Sequence, residues 1–158
     1  MSFKKGGTPG ALLLYVGGTL LAGAISGLSG GNFGEYALLE APPLAPPGWL
    51  FLPVWITLYA LMGVAAFLVD RSGDGDTGRA LRLYGAQLLV NILWPLFYFR
   101  LGWRLFAFFW ILLLIVLVVN TIREFSRHSR VAGWLLVPYL LWLLFAAYLN
   151  LGYYVLNG

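Results

Sequence analysis

Charged residues are spaced along this chain so that they mark off five long apolar stretches. Uncharged runs cover 6–34, 41–69, 83–99, 105–122 and 131–158, and none shows the period-two alternation of a half-buried strand. A helix crossing the hydrocarbon core needs about 20 mostly apolar residues. Spans are therefore predicted near 10–29, 49–69, 81–99, 104–123 and 132–155. Backbone amides in lipid must be satisfied internally, and an odd, short set of non-alternating strands could not close a barrel, so five spans mean five helices. The predicted fold class is an all-α integral membrane bundle forming one domain over 1–158, with no clear repeat. The expected localisation is multi-pass, in a prokaryotic cell membrane.

Composition agrees: 61% of residues are hydrophobic and 10% charged, with a mean hydropathy of +0.83, far from the balance of a soluble domain. Lys4, Lys5, Arg71, Arg79, Arg82, Arg123, Arg127 and Arg130 fall on the N-terminal side of the bundle, against Arg100 and Arg104 on the other. By the positive-inside rule the N-terminus faces the cytoplasm, and five spans put the C-terminus outside. The net charge of +4 is thus a topology signal, with no basic stripe for nucleic acid. The absence of cysteine removes disulfides, thiol catalysis and thiolate metal sites.

Lys4 and Lys5 before "ALLLYVGGTLLAGA" also fit a secretory signal, but the uncharged run continues past any cleavage point, so a retained span is expected. Gly23 and Gly27 form a small-xxx-small pair, and Gly18, Ala22 and Ser26 a second row, which predicts close helix packing.

The connection from Gly30 to Gly48, "GGNFGEYALLEAPPLAPPG", is too long and too rich in proline and apolar residues for a minimal turn. Long ordered loops tend to be functional. It is read as a lid over the outer helix ends, with Tyr36, Leu44, Pro46 and Pro47 as lid residues; a merely interfacial loop is the rival reading. Pro46 and Pro47 also start the second helix, where a missing amide hydrogen costs nothing.

No ionisable residue lies in the middle of a span, which argues against a coupled pump or transporter. The lone His128 sits in a basic turn. Metal ligation and Ser/His/Asp catalysis have no candidates, and no cofactor is required. What remains polar in the core is specific. "YGAQLLVNILWPLFYF" puts Gln87, Asn91 and Trp94 on one helix face, and Pro95 frees the carbonyl of residue 91. These groups either hold the bundle together by interhelical hydrogen bonds or contact a ligand, and the two roles can coexist. Tyr139, Trp142, Ala146 and Asn150 share a side of the last span, where Pro138 loosens the preceding turn. Trp55 and Tyr59 share one of the second. At 1.5 Å rise per residue Trp55 lies roughly 9 Å inside the outer end of its span, with Trp94 and Asn150 comparably deep. Trp49, Trp103 and Trp134 at span ends are explained as interfacial belt residues. Trp55, Trp94, Trp110 and Trp142 lie deeper, where a buried indole wants a partner for its N–H. Aromatic walls with a few amides suit a large, flat, mostly apolar ligand.

At these residues the chain resembles the translocator protein family, also called tryptophan-rich sensory proteins or peripheral-type benzodiazepine receptors. "PPGWLFLPVWITLYALMG", "YGAQLLVNILWPLFYF" and "LLVPYLLWLLFAAYLN" are similar to the family's second-, third- and fifth-helix signatures, in the same order and spacing. The resemblance covers essentially the whole chain. It implies a five-helix bundle, commonly homodimeric, that binds porphyrins such as protoporphyrin IX and other flat lipophilic molecules, and acts as a membrane receptor or sensor. It also implies Trp55, Trp142, Gln87, Asn91, Trp94 and Asn150 as pocket residues. An alternative activity is light-dependent porphyrin degradation, with Trp55 and Trp142 as the candidate catalytic pair; a third reading is a passive carrier or scaffold for lipophilic molecules. The chain departs from the family pattern in the first loop, where Glu35-Tyr36 and Leu44 stand at positions usually aromatic, and it lacks the animal sterol motif at its C-terminus.

Overall fold

A computed structural model of the chain describes residues 9–30, 37–72 and 76–158. The elements are α1 (Pro9–Gly30), α2 (Phe51–Ser72), α3 (Thr77–Pro95), α4 (Arg104–His128), α5 (Arg130–Leu135) and α6 (Val137–Asn157). The described residues contain no strand. A 3-10 turn at Gly48–Leu50 leads into α2 and a π-helical turn at Leu96–Arg100 extends α3. With these, and with α5 and α6 taken together, five spans among the described residues are long and apolar enough to cross a bilayer. The chain is an integral, multi-pass membrane protein.

Proline sets three of the irregularities. Pro47, extended at φ −64° and ψ 149°, caps the turn that starts α2. Pro95 closes α3, and the π turn follows directly, as expected where a ring removes the amide hydrogen a regular turn would use. Pro138 sits in the first turn of α6, just after the break at Leu136. The fourth span runs five residues beyond its predicted end at 123, to His128. Its last turns are amphipathic, with Thr121, Glu124 and Phe125 buried, so the helix has packing to continue for after the apolar run stops.

The helices form a ring in the order α2, α1, α3, α4, then α5 and α6, with α5 closing back onto α2. Met62, Ala65, Ala66 and Val69 on α2 are fully buried, an i, i+3, i+4, i+7 stripe facing the middle of the bundle. Leu13, Leu14, Leu21 and Leu28 on α1 are exposed, which costs nothing against lipid tails that are as apolar as leucine. Trp49, Trp103 and Trp134 are likewise exposed at helix ends, as expected of belt residues.

Close approach depends on particular glycines. A Cβ at Gly63 would meet the α1 backbone at Val16, and one at Gly23 would run into the Tyr59 ring. The predicted close packing of the α1 glycines is thus realised at Gly23, whereas Gly17, Gly18 and Gly27 have open space beside them. Polar pairs tie the same region together: the Tyr15 hydroxyl donates to Asp70 at 2.9 Å, and the hydroxyls of Thr19 and Tyr84 hydrogen-bond between α1 and α3.

Candidate ligand cavity

At the charged end of the bundle α5 meets α2 directly, but no comparable backbone approach joins α2 to α6. The helix break at Leu136 sets α5 and α6 apart, so α6 leaves α2 toward the other end. Side chains fill only part of the gap. A cavity of about 470 Å³ remains, within the size range of small-molecule sites.

Its walls are aromatic. Trp142 meets Trp55 edge-on at 6.5 Å between ring centroids and Phe51 at 5.9 Å; Tyr59 lies 5.5 Å from Trp55. Opposite, Trp94 stacks on Tyr98 at 4.9 Å. Trp55, Tyr59, Asn91, Trp94, Trp142, Ala146 and Asn150 all line the space, so seven of the nine residues proposed from sequence as ligand contacts converge here.

The other two, Gln87 and Tyr139, are not on the cavity surface and stand buried behind the wall. Together with Tyr59 and Asn91 they make a hydrogen-bonded chain. Tyr59 Oη donates to Asn91 Oδ1 at 2.5 Å, and Asn91 Nδ2 donates to Tyr139 Oη at 2.7 Å. Tyr139 Oη donates in turn to Gln87 Oε1 at 2.7 Å, and Gln87 Nε2 points at Met62 Sδ at 3.8 Å. Asn91 therefore lines the cavity while using both ends of its amide to join α2, α3 and α6.

Asn150 is engaged in the same way. Its Oδ1 accepts from Trp94 Nε1 at 3.0 Å and its Nδ2 donates to the Arg104 carbonyl at 2.8 Å, clamping the start of α4. Trp110 donates to the Val90 carbonyl at 2.8 Å. Trp142 differs from Trp94 and Trp110: its ring lines the cavity, and its Nε1 is buried with no partner among the described residues. A buried donor without an acceptor is a cost that a ligand acceptor would remove.

The loop corrects the expected lid. Tyr36 lies outside the described residues. Leu44 is 82% exposed, takes the left-handed φ of +72° and is not on the cavity surface. Pro46 and Pro47 serve the helix start and are not on the cavity surface; Ala37 and Gly48 are. What holds the loop is α6. Glu40 N–H donates to Asn157 Oδ1 and Asn157 Nδ2 donates back to the Glu40 carbonyl, both at 2.9 Å. The Tyr148 hydroxyl donates to the Pro43 carbonyl at 2.5 Å, and the Pro42 ring lies where a Cβ on Gly152 would be. The segment does fold over the helix ends, strapped by backbone rather than by the side chains proposed.

Sequence reasoning missed the contribution of α1. Gly23, Ser26 and Gly27 line the cavity, and the small-residue rows that drew notice as packing positions also leave room for an occupant. It missed Phe51, Tyr98 and Tyr153 as well; nothing in their spacing separated them from ordinary aromatic packing.

The fold and the cavity define the class: a five-helix integral membrane protein with an aromatic chamber inside the bundle near one end. The chain belongs to the TspO/MBR family, whose profile matches residues 11–156. It is 38% identical to the tryptophan-rich protein TspO of Archaeoglobus fulgidus over 123 residues, covering 78% of this chain and 80% of the relative. It is 39% identical to the translocator protein of Ovis aries over 129 residues, 78% and 75% of the two chains. With the tryptophan-rich sensory protein of Cereibacter sphaeroides it shares 36% identity over 115 residues, 73% of this chain and 72% of that one. Membership suggests a membrane sensor or receptor.

Proposed function

We propose that the chain is a membrane receptor for a flat, lipophilic tetrapyrrole of the protoporphyrin IX type, held in the aromatic cavity. The observation that carries this reading is the pairing of a largely aromatic, 470 Å³ space with the unpartnered Trp142 N–H. Rings of Trp55, Trp94, Phe51 and Tyr98 offer flat apolar area on which a macrocycle stacks. The indole N–H offers a single hydrogen bond to an acceptor on its rim. The amides of Asn91 and Asn150 are each held in place by one bond donated and one accepted within the bundle, so recognition rests mainly on shape and stacking, and a range of flat apolar molecules should compete.

Titration of the detergent-solubilised protein with protoporphyrin IX in the dark, read by tryptophan fluorescence, tests this. Saturable quenching at one porphyrin per chain is expected. Trp142→Phe keeps a ring at the wall and deletes the N–H, so affinity should fall by about fivefold, the value of one hydrogen bond near 1 kcal/mol. Quenching that does not saturate, or that survives unchanged in a Trp55→Ala/Trp142→Ala variant, overturns the assignment.

The edge contact of Trp55 with Trp142 favours a second reading, in which the illuminated porphyrin is degraded by dioxygen with this pair taking part. Under light, wild-type protein would then bleach bound porphyrin faster than an unrelated membrane protein, and Trp→Phe at either position would abolish the excess while binding survives. Equal bleaching by the two proteins removes this reading and leaves the receptor standing.

We infer an inward N-terminus and an outward C-terminus from the eight-to-two distribution of Lys and Arg between the two ends. A periplasm-active reporter fused after Gly158 is expected to be active, and one inserted at Gly75 silent. The reverse pattern would place the cavity in the cytoplasmic half.

A further inference from the structure

At the end of the bundle opposite the cavity, α3 and α4 frame a second concavity, a groove of about 660 Å³. Arg79 and Arg82 enter it from α3; Arg123 and Arg127 enter it from α4. Glu124 forms its floor, 9% exposed, with its carboxylate 3.5 Å from Arg79 Nε and 3.2 Å from Arg127 Nη1. Four guanidinium groups against one carboxylate leave three positive charges in excess. Arg82 and Arg123 have no carboxylate partner among the described residues. Asp76, at the start of α3, is the other described acid near this end of the groove, beside Gly78 and Arg82; Asp70 is engaged by Tyr15.

An inward-facing end enriched in arginine is what topology alone requires, but topology does not require that four arginines from two helices converge on a concave surface. Their mutual repulsion is only partly offset by Glu124, and an anion between Arg82 and Arg123 would offset the rest. Arginine, unlike lysine, presents a planar fork that matches phosphate oxygens two at a time.

The surroundings of the groove select the kind of phosphate. Leu83 forms part of its lining. About 10 Å further into the bilayer, two helical turns on from Arg82 and Arg123, the exposed side chains are Leu89 on α3 and Val116 on α4, with Leu113 one turn deeper. A charged socket at the membrane surface that continues into apolar, lipid-facing helix flank suits a molecule with a phosphate at one end and acyl chains behind it. We propose that the groove is a binding site for the phosphate headgroup of an anionic membrane phospholipid, seated between Arg82 and Arg123, with its acyl chains along the outer faces of α3 and α4. Basic pockets between spanning helices on the cytoplasmic side are suited to such headgroups.

The test uses the full chain in nanodiscs of phosphatidylcholine with and without phosphatidylglycerol. Native mass spectrometry should retain one phosphatidylglycerol per chain in preference to phosphatidylcholine, and the anionic lipid should raise the unfolding temperature. Arg82→Gln/Arg123→Gln leaves the Glu124 ion pairs in place, and it should reduce the preference at least about tenfold, since each lost charge-assisted bond contributes more than a neutral one. Arg130→Gln, an exposed position at the same end but outside the groove, should retain the preference. Equal loss in Arg130→Gln would mean diffuse surface attraction and overturns the site, as does an unchanged preference in the double variant. Inorganic phosphate that stabilises the lipid-free protein in detergent and displaces phosphatidylglycerol from it would assign the groove to a soluble anion and overturn the lipid.

Discussion

Gly63→Ala is expected to destabilise the protein by about 3 kcal/mol, at the upper end of what overpacking a core usually costs. The added methyl would sit 2.5 Å from Val16 Cα, 2.8 Å from the Tyr15 carbonyl oxygen and 2.9 Å from Val16 N. All three are backbone atoms of α1, so no side chain can swing aside and the two helices must separate. Separation also pulls on the Tyr15–Asp70 hydrogen bond and lifts α1 from the Tyr59 ring that fills the space at Gly23. For a chain of this size the unfolding temperature should drop by roughly 6–12 °C. Gly17→Ala is the matched control: on the same helix pair it meets nothing within 4 Å, and replacing a mid-helix glycine by alanine gains up to about 1 kcal/mol in helix propensity. Equal unfolding temperatures for Gly63→Ala and wild type would mean that α1 and α2 are not held at this distance.

Asn91→Leu should carry the second largest effect, a loss of about 1 kcal/mol. The substitution keeps the volume and deletes both the acceptor for Tyr59 and the donor to Tyr139. Hydrogen bonds between helices in lipid average about 0.6 kcal/mol each. The Tyr59 hydroxyl, on a ring 6% exposed, loses its acceptor but keeps its hydrogen bond with Ser26. Tyr139 keeps its bond to Gln87, which limits the damage. In a double-mutant cycle with Tyr59→Phe the combined cost should be smaller than the sum by at least about 0.5 kcal/mol, because both changes remove one shared bond. Porphyrin affinity, measured on the folded fraction, should move by less than about twofold, since both ends of the amide are oriented by Tyr59 and Tyr139 rather than by an occupant. Affinity that collapses while stability holds would reverse this assignment and make Asn91 a ligand contact.

Asn91 shows where reading the sequence stops. Its placement on a face with Gln87 and Trp94 follows from helical spacing, which is local and survives any packing. Whether the amide serves the bundle or an occupant depends on Tyr59 and Tyr139, 32 and 48 residues away, and no local pattern encodes those distances. Gln87 illustrates the same limit. It shares the face, yet the rotation of α3 turns it behind the wall toward Met62. Trp94 and Asn150 both looked available to a ligand until the structure paired them with each other. Leu44, apolar in a loop, reads as a cover for the cavity; in the structure it is exposed and off the cavity surface.

The sequence by itself determined the number of spans, their order, the all-helical class, the segregation of charge to one end and the proline positions at which helices start, break or loosen. These follow from constraints that act residue by residue: hydrocarbon thickness, the need to satisfy each backbone amide in lipid, and the missing amide hydrogen of proline. Tertiary structure alone decided that α6 leaves α2 above the Leu136 break to open a cavity, that Gly63 lets α1 in while Gly27 leaves room, that Trp142 keeps an unpartnered N–H, and that arginines from α3 and α4 converge around Glu124. Each of these is a distance between helices far apart in the chain, set by how whole surfaces pack against one another, and so it becomes visible only when the surfaces have met.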